Sequence, residues 1–190
     1  CKIRNATHMN QNMVFNKKHS TSFSHGVESV ASKDDCFQHA GGIRISFVLA
    51  TKNRSVMLEK TLASMRQMLT PKDELIVIDG RSTDATSDVV ARYRDIIHVF
   101  VSEDDTGPAN AYNKGFRMAR GTYVRPVTDD DEVYPDAFAQ AIDVLSRHQE
   151  IDFLICGGTK QQGKRQSFVY VPPGVHYGKN PEDAFRYGAC

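Results

Sequence analysis

At 190 residues the chain is long enough for one domain with a substantial buried core and short for two. Its 24 basic and 23 acidic residues leave a formal net charge of +1, which excludes the long-range field that would gather nucleic acid or an anionic membrane. No apolar run reaches the ~18 residues that a membrane helix needs. The composition therefore favours a globular domain with no nucleic-acid partner and no membrane span.

The cysteines give no sign of a zinc site. Cys1, Cys36, Cys156 and Cys190 form no CxxC pair and lie at no zinc-like spacing from a histidine. Since 40% of the residues are hydrophobic, the domain does not need disulfides to fold. We therefore expect a reducing compartment, which is the cytoplasm or the cytoplasmic face of a membrane.

Residues 1–42 differ in composition from the remainder of the chain. They are rich in Asn, His, Ser and Lys and show no hydrophobic period. This composition predicts a polar N-terminal arm, mobile or laid on the surface, that ends at the Gly41-Gly42 pair. We place the globular domain at residues 43–190.

From residue 43 onward, short apolar runs alternate with amphipathic segments. In chain order, the predicted elements are a strand at 45–49, a helix with apolar positions Leu58, Leu62, Met65 and Leu69, a strand at 75–78, a helix at 87–94, a strand at 96–101, a helix from Pro108, a strand at 122–127, a helix from Pro135 and a strand at 153–155. Ser82 or Thr83 is the predicted N-cap of the second helix. Repeated strand–helix units with short links predict an α/β fold, with a mostly parallel central sheet and helices on both faces.

Polar, turn-rich segments follow the carboxyl ends of four predicted strands. They occupy residues 50–54, 79–84, 102–107 and 128–132. In open parallel sheets, ligands bind beyond the carboxyl ends of the strands, where the strand order reverses. We therefore expect these four loops to meet at one edge of the sheet and to form a single site.

The strongest chemical signal is a run of three aspartates, Asp129, Asp130 and Asp131. Adjacent carboxylates repel one another unless solvent or a cation separates them, and Mg²⁺ or Mn²⁺ prefers such hard oxygen ligands, commonly shared with phosphates. The alternative is a solvated acidic turn that favours the N-terminus of the helix at Pro135. The position of the run, at the end of a buried strand beside three other polar loops, favours a metal site.

The loop after the second strand carries a candidate nucleoside ligand. Asp79 ends that strand, and Gly80 would let the backbone approach a bound molecule closely. The Asp79 carboxylate could accept a hydrogen bond from a base N–H or a ribose hydroxyl. The alternative is an Asx-turn, in which Ser82 or Thr83 caps the next helix, and the two roles are compatible.

The remaining two loops give less specific evidence for ligand binding. Residues 103–107, which include Asp105, could bind a ribose or be a solvated surface loop. Lys52 and Arg54 could offset the charge of a diphosphate, or they could be exposed charges at the start of a helix.

One segment, GTKQQGKR at residues 158–165, comes close to the phosphate-cradling P-loop pattern. Arg165 stands where that pattern requires a Ser or Thr, and an apolar run at 167–171 follows in place of a helix. We therefore predict a basic hairpin turn and exclude a P-loop.

Together, the loops between Ile45 and Asp136 resemble those of the family 2 glycosyltransferases. The matching segments are SFVLATKNR at 46–54, ELIVIDGRSTDAT at 74–86, SEDDTG at 102–107, AYNKG at 111–115, ARGTY at 119–123 and TDDD at 128–131. Each segment alone is weak evidence for the resemblance, but the order and spacing of all six together are specific to the family.

The resemblance implies a GT-A fold and an enzyme that moves a sugar from a nucleoside diphosphate sugar, with UDP favoured, to a glycan or lipid hydroxyl with inversion. By the same resemblance, Thr51 and Asp79 would contact the nucleoside, with Arg54 near it. Asn113 would shape the donor pocket, and we include Asp105 among the donor-binding residues.

The resemblance also implies a metal cofactor, Mn²⁺ or Mg²⁺. Asp130 would belong to the DxD-type motif that holds the metal against the diphosphate, assisted by Asp129 or Asp131. We assign Asp130 and Asp131 to the metal and Asp129 to the nucleotide sugar. A metal there would offset the negative charge that accumulates on the leaving diphosphate.

The sequence departs from the family pattern at several places. Many members carry a second acidic residue where Gly80 stands and an Arg where Tyr112 stands. Their catalytic base lies in a later acidic pair, and residues 187–190 resemble the start of the region before it. Because Glu182 and Asp183 lie too early in that pattern, we expect the base, with the acceptor side of the domain, beyond Cys190.

Two other functions remain open from the sequence. A catalytically inactive GT-A module could serve binding or scaffolding, although the intact aspartate run argues against it. A nucleotidyltransferase that builds the sugar nucleotide would need a Gly-rich, Arg-containing loop after the first strand, and residues 50–54 contain no glycine.

Overall fold

The computed structural model describes residues 13–16, 44–155, 158–162, 165–169 and 177–178. Along the chain these ranges contain β1 (Met13–Asn16), β2 (Ile45–Thr51), α1 (Ser55–Met68), β3 (Asp73–Asp79), α2 (Thr86–Arg92), β4 (Val99–Ser102), α3 (Pro108–Met118), β5 (Tyr123–Thr128), α4 (Pro135–Arg147), β6 (Phe153–Ile155), β7 (Gly158–Gln162), β8 (Arg165–Val169) and β9 (Tyr177–Gly178).

Seven of these strands form one sheet in the order β4-β3-β2-β5-β1-β6-β9. β2 pairs in parallel with β3 and β5, and β3 pairs in parallel with β4. β1 runs antiparallel between β5 and β6, and β9 pairs antiparallel with β6. The chain therefore builds outward from β2 to β4 and then returns to the opposite side of β2 with β5. The strand order reverses between β2 and β5, which is where such sheets bind ligands.

The two faces of the sheet are covered by different helices. Phe47 on β2 packs against Phe138 on α4, with ring centroids 5.4 Å apart, in a core that also holds the buried positions of α1 and α2. The next residue, Val48, points the other way into a second core that contains Ala111 and Tyr112 of α3. This alternation follows from the two-residue period of a strand, and it confirms the predicted α/β fold with helices on both faces.

The strand β1 was not predicted from the sequence. Its Phe15 is the register partner of Val124 on β5 and of Phe153 on β6, so it fills the gap between two strands that run parallel to each other. Four residues are too few to show a period, and the partners lie far along the chain. Most of residues 1–42 lie outside the described ranges, so the predicted boundary at residue 42 stays a prediction.

The predicted N-cap of the second helix was wrong. α2 begins at Thr86, and the carboxylate of Asp84, not Ser82 or Thr83, accepts hydrogen bonds from the Thr86 amide at 3.1 Å and its hydroxyl at 2.6 Å. The Asp84 carboxylate also accepts from the backbone amide of Ser55, where α1 begins. The hydrogen bonds from Thr86 and Ser55 lower the pKa of Asp84 to about 2. This carboxylate therefore joins the starts of two helices.

The basic segment at residues 158–165 behaves as predicted. β7 and β8 pair antiparallel, and Gln162 is the register partner of Arg165. A hairpin is incompatible with the strand-to-helix geometry of a P-loop, so the exclusion of a P-loop is confirmed.

Two further sequence predictions concern the membrane and the chain ends. Among the helices of the described ranges, none combines the length and apolar character needed to span a bilayer. The cysteines, Glu182, Asp183 and residues 187–190 lie outside the described residues, so the predictions that rest on them stay predictions.

Gly115 sets the distance between α3 and the sheet, and its replacement tests the packing of this face. A Cβ at this position would lie 2.2 Å from Cγ1 of the buried Val48. Overpacking costs about 1–3 kcal/mol, which exceeds the ~1 kcal/mol that alanine gains over glycine in a helix. We expect Gly115→Ala to lower the free energy of unfolding in urea denaturation. The exposed Arg117→Ala on the same helix should change it by no more than ~0.5 kcal/mol.

Candidate functional site

A row of polar side chains crosses the sheet at the carboxyl ends of its parallel strands. Thr51 on β2 is the register partner of Asp79 on β3, which is the partner of Ser102 on β4. Thr51 Oγ1 also donates a hydrogen bond to Asp129 Oδ2, just after β5, at 2.8 Å. Asp129, Thr51, Asp79 and Ser102 therefore form one line across four strands. The predicted convergence of loops at this edge is confirmed.

Asp79 is 1% exposed and is held by its neighbours. Its carboxylate accepts hydrogen bonds from the Ser82 amide at 3.0 Å, from the Ser82 hydroxyl, and from the Ser102 hydroxyl at 2.6 Å. The Ser82 oxygen in turn accepts from the backbone amide of Asn53 at 2.7 Å. The Asp79 carboxylate thus bonds the amide three residues on, not the amide two residues on that defines an Asx-turn, and Ser82 ties the loop after β3 to the loop after β2.

Gly80 makes room for a side chain from a third loop. A Cβ added at Gly80 would lie 2.5 Å from Asp105 Oδ2 and 3.0 Å from Cδ of Lys52. The other Asp105 oxygen accepts from the Gly107 amide at 3.0 Å, which fixes the carboxylate over Gly80. A side chain at position 80 would collide with Asp105. Position 80 carries no acidic side chain, but the carboxylate of Asp105, from the loop after β4, occupies the space over it.

Arg54 links the loop after β2 to the aspartate run. Its Nη1 lies 3.0 Å from Asp129 Oδ1, and its Nη2 lies 2.9 Å from Asp130 Oδ2. The second oxygen of Asp130 accepts from the Thr128 hydroxyl at 2.7 Å. Asp129 is buried, whereas the side chain of Asp130 is 40% exposed. Asp130 is therefore the carboxylate of this pair that solvent, or a ligand, can reach.

Asp131 turns back onto its own loop. Its carboxylate accepts from the Thr128 amide at 3.0 Å, and its backbone carbonyl accepts from the hydroxyl of Thr61 on α1 at 3.0 Å. Within the described ranges, no three acidic, histidine or cysteine side chains converge in a metal-binding arrangement. The assignment of Asp130 and Asp131 to a metal stays a prediction, as do the roles of the other candidate residues.

A model of the family described as "Glycosyl transferase family 2" matches residues 46–180. This range includes all four loops at the carboxyl edge of the sheet, which we call the rim. The chain belongs to glycosyl transferase family 2. The resemblance seen in the sequence is thereby confirmed.

Relatives of this family 2 chain include bacterial transferases. TuaG of Bacillus subtilis (strain 168), named as a teichuronic acid biosynthesis glycosyltransferase, is 28% identical over 138 residues, which cover 70% of this chain and 55% of TuaG. The poly(ribitol-phosphate) beta-N-acetylglucosaminyltransferase TarS of Staphylococcus aureus is 28% identical over 131 residues, which cover 66% of this chain and 23% of TarS. The chain thus spans about half of the length of TuaG and less of TarS.

Solved structures of two transferases share the fold. The mannosyltransferase PcManGT from Pyrobaculum calidifontis, in complex with GDP-Man and Mn²⁺, is 28% identical with a TM-score of 0.50, covering 54% of this chain and 32% of that enzyme. TarS residues 1–349 of S. aureus, in complex with UDP-GlcNAc, are 22% identical with a TM-score of 0.55, covering 70% of this chain and 38% of that one. The predicted GT-A fold of this family 2 chain is confirmed.

Burial raises the pKa of the aspartates of this family 2 site, whereas Arg54 lowers the pKa of Asp129 and Asp130. Burial raises the pKa of Asp129, although the Thr51 hydroxyl and the Arg54 charge oppose it. Burial also raises the pKa of Asp131. At Asp130, burial acts in the same direction, but hydrogen bonds from Thr128 and Arg54 outweigh it and lower the pKa. Asp130 is thus held ionised, which is the state that a metal ligand needs.

Tyr112 replaces the Arg that many family members carry, and it has a positioning role here. Its hydroxyl donates to the carbonyl of Val127 at 2.9 Å, so α3 holds the end of β5 just before the aspartates. Burial, followed by the negative charge of the three aspartates, raises the pKa of Tyr112, so the phenol stays neutral. Asn113 follows it on α3 and is half-buried.

Sequence reasoning missed three residues of this site. Ser102 donates to Asp79, Thr128 donates to Asp130, and Tyr112 anchors the end of β5. The position of Ser102 was detectable, because it follows the apolar run of an edge strand at the predicted ligand edge. Nothing in the sequence signalled the contacts of Tyr112 and Thr128, since those depend on how α3 and β5 pack.

Proposed function

We propose that this chain binds a nucleoside diphosphate sugar at the rim of its sheet and transfers the sugar, with inversion, to a hydroxyl of a glycan or lipid. The observation that carries the proposal is the line of Asp129, Thr51 and Asp79 across the point where the strand order reverses. Membership of glycosyl transferase family 2 supports the reaction class. A cytoplasmic location is part of the proposal.

The nucleoside is assigned to the side of the rim near Asp79. Asp105 brings a carboxylate oxygen over Gly80, next to Asp79, and Thr51 is the register partner of Asp79, so groups that could accept from a base N–H or a ribose hydroxyl lie on this side. Arg54 contacts Asp129 and Asp130, and its planar fork suits phosphate oxygens. We favour a uridine nucleotide.

A divalent metal, Mn²⁺ or Mg²⁺, is assigned to Asp130 with Asp129 or Asp131. The donor set fits such an ion, because these metals commonly take one or two carboxylates and complete their coordination with phosphates and water. When bound, the metal supplies positive charge to the leaving diphosphate. The chain's own residues position Asp130 through Thr128 and Arg54. The complex of PcManGT with GDP-Man and Mn²⁺ supports this assignment.

The acceptor is proposed to be a hydroxyl of a polymer or lipid. TuaG is named for teichuronic acid biosynthesis and TarS for poly(ribitol-phosphate), which supports polymeric acceptors. The acceptor oxygen must lose a proton as it attacks, and a positioned carboxylate serves this purpose. None of the aspartates described above is assigned this role.

Titration calorimetry with UDP, in the presence and absence of Mn²⁺, tests the proposal. We expect Mn²⁺ to strengthen UDP binding to the full chain by at least ~10-fold, because Asp130 would hold the metal and the metal would supply positive charge to the diphosphate. Asp130→Ala should abolish this gain, whereas the exposed Asp136→Ala on α4 should retain it. Parallel titrations with GDP test the choice of uridine.

The same titrations can contradict the proposal. If UDP binds equally well with and without Mn²⁺, a binding module without catalytic function is favoured. If neither UDP nor GDP binds under any condition, the proposed donor site is wrong.

A further inference from the structure

Arg54 connects two carboxylates in the manner of a bridging cation. Its Nη1 is 3.0 Å from Asp129 Oδ1, and its Nη2 is 2.9 Å from Asp130 Oδ2. An Arg that pairs with one carboxylate usually directs both prongs at that single group. Here each prong serves a different residue, so the guanidinium lies between the two aspartates. The proposed function needs a divalent metal beside these same carboxylates.

The backbone of Arg54 is fixed, while its side chain is accessible. The Arg54 carbonyl accepts hydrogen bonds from the amides of Met57 at 3.0 Å and Leu58 at 2.9 Å, at the first turn of α1. The preceding Asn53 is held by Ser82 and Thr83 of the neighbouring loop. The side chain itself is 45% exposed. The guanidinium can therefore leave the aspartates by side-chain rotation alone, with no movement of the loop.

Asp129 and Asp130 need one cation beside them, but they do not favour a guanidinium and a metal ion at the same position. Asp129 is buried, and a buried carboxylate is costly unless a positive charge lies next to it. Arg54 supplies that charge. A divalent ion bound to Asp129 and Asp130 would add two positive charges within a few ångströms of the guanidinium, and the two cations would repel each other strongly in this half-buried setting. The guanidinium and the metal are therefore alternatives.

We propose that Arg54 competes with the divalent metal for Asp129 and Asp130, and that a bound nucleoside diphosphate relieves this competition. The inference rests on the proposed function, because it takes these aspartates as the metal side of the donor site. Phosphate oxygens offer the displaced guanidinium a planar, charge-matched partner. The metal then binds well only together with the nucleotide. Arg54 is a positioning residue in this scheme, since it sets the order and the coupling of ligand binding.

The test measures Mn²⁺ binding to the full chain from the electron paramagnetic resonance signal of free Mn²⁺, with and without UDP. Without UDP, Arg54→Ala should bind Mn²⁺ about 10-fold more tightly than the natural chain, because the competing charge is gone. Added UDP should strengthen Mn²⁺ binding much more in the natural chain than in Arg54→Ala.

Arg81→Ala is the matched control. Arg81 lies on the neighbouring rim loop, where its Nη1 is 2.6 Å from Asp104 Oδ2, so its removal causes the same change in net charge without touching Asp129 or Asp130. We expect its Mn²⁺ affinity to stay within about twofold of the natural chain, because exposed charges interact weakly. A similar gain in both variants would overturn the inference.

Thermal unfolding provides a second measurement in case Arg54→Ala is less stable than the natural chain. Since this variant leaves a buried carboxylate without its cation, we expect a lower midpoint of thermal unfolding. Mn²⁺ alone should raise that midpoint more in the variant than in the natural chain, because a ligand stabilises the state that binds it. An equal rise, or none, would contradict competition.

The outcomes distinguish failure of the Arg54–metal competition from failure of the proposed metal-dependent donor binding. If Mn²⁺ and UDP bind together to the natural chain but Arg54→Ala gains no affinity for Mn²⁺ alone, the competition is wrong and the donor site stands. If Mn²⁺ binds neither chain even with UDP, the metal-dependent function is wrong and the inference fails with it.

Discussion

Replacement of Glu74 by alanine is expected to lower the free energy of unfolding by about 2–4 kcal/mol, because it deletes a fully buried acceptor and leaves a cavity. Glu74 Oε1 accepts from the Ser46 hydroxyl and from the Arg120 amide, each at 2.5 Å, and Oε2 accepts from Arg120 Nε at 3.0 Å. The Ser46 oxygen accepts in turn from the Gly121 amide at 2.7 Å. Glu74 thus joins β3, β2 and the turn that leads into β5, opposite the ligand edge.

Urea denaturation measures this effect, and Glu59 provides the matched control. Glu59 lies on α1, and its carboxylate pairs with Arg92 at 2.9 Å with a side chain that is 47% exposed. An exposed ion pair contributes about 0–1 kcal/mol, so Glu59→Ala should have a small effect. Glu74→Gln retains one oxygen acceptor and should be intermediate. Equal losses for Glu74→Ala and Glu59→Ala would show that the buried contacts do not stabilise the fold.

Replacement of Asp129 by asparagine is expected to weaken binding of UDP with Mn²⁺ by at least ~100-fold, because it removes a buried charge from the donor site, and the loss of such a hydrogen-bonded charge costs about 2–5 kcal/mol. Asn keeps the shape of the side chain but removes its charge. One of its two terminal positions becomes an N–H donor, which would face either the Thr51 hydroxyl or Arg54 Nη1. With the N–H group toward the Thr51 hydroxyl, which can also accept, and the amide oxygen toward Arg54, both hydrogen bonds can persist, so the expected loss reflects the missing negative charge.

Calorimetry with UDP and saturating Mn²⁺ measures this loss. Asp136→Asn is the control, because Asp136 is an exposed acid in the first turn of α4. Thermal unfolding of both variants shows whether each remains folded at the temperature of the titration. Binding by Asp129→Asn that matches Asp136→Asn would remove Asp129 from the donor site, whereas loss in a folded variant supports its assignment.

The alternation of strands and helices was predictable because burial imposes a period on each element. The run from Leu75 to Ile78 is buried on both faces of β3, as an uninterrupted apolar segment predicts. Leu58, Leu62 and Met65 lie on the buried side of α1, as their spacing predicts. The meeting of four loops followed from the parallel order of the strands. These predictions needed only local patterns and the rules for connecting them.

The strand β1 and the N-cap of α2 were not predictable in this way. The partners of β1 are Val124 and Phe153, far along the chain, and no local period marks so short a strand. Ser82 satisfies the local rule for an N-cap, but its side chain bonds Asp79 across a turn, and Ala85 occupies the cap position while Asp84 accepts from Thr86. In both cases a contact formed in the folded state outweighed the local preference.

By itself, the sequence determined the fold class, the edge of the sheet where polar loops gather, and the family, because these depend on periodicity, strand order and motif spacing. Only the tertiary structure decided that Arg54 spans Asp129 and Asp130, that Asp131 turns toward Thr128, and that Asp105 fills the space over Gly80. Such pairings depend on distances of a few ångströms between segments that are distant in the chain. A one-dimensional pattern carries no information about those distances.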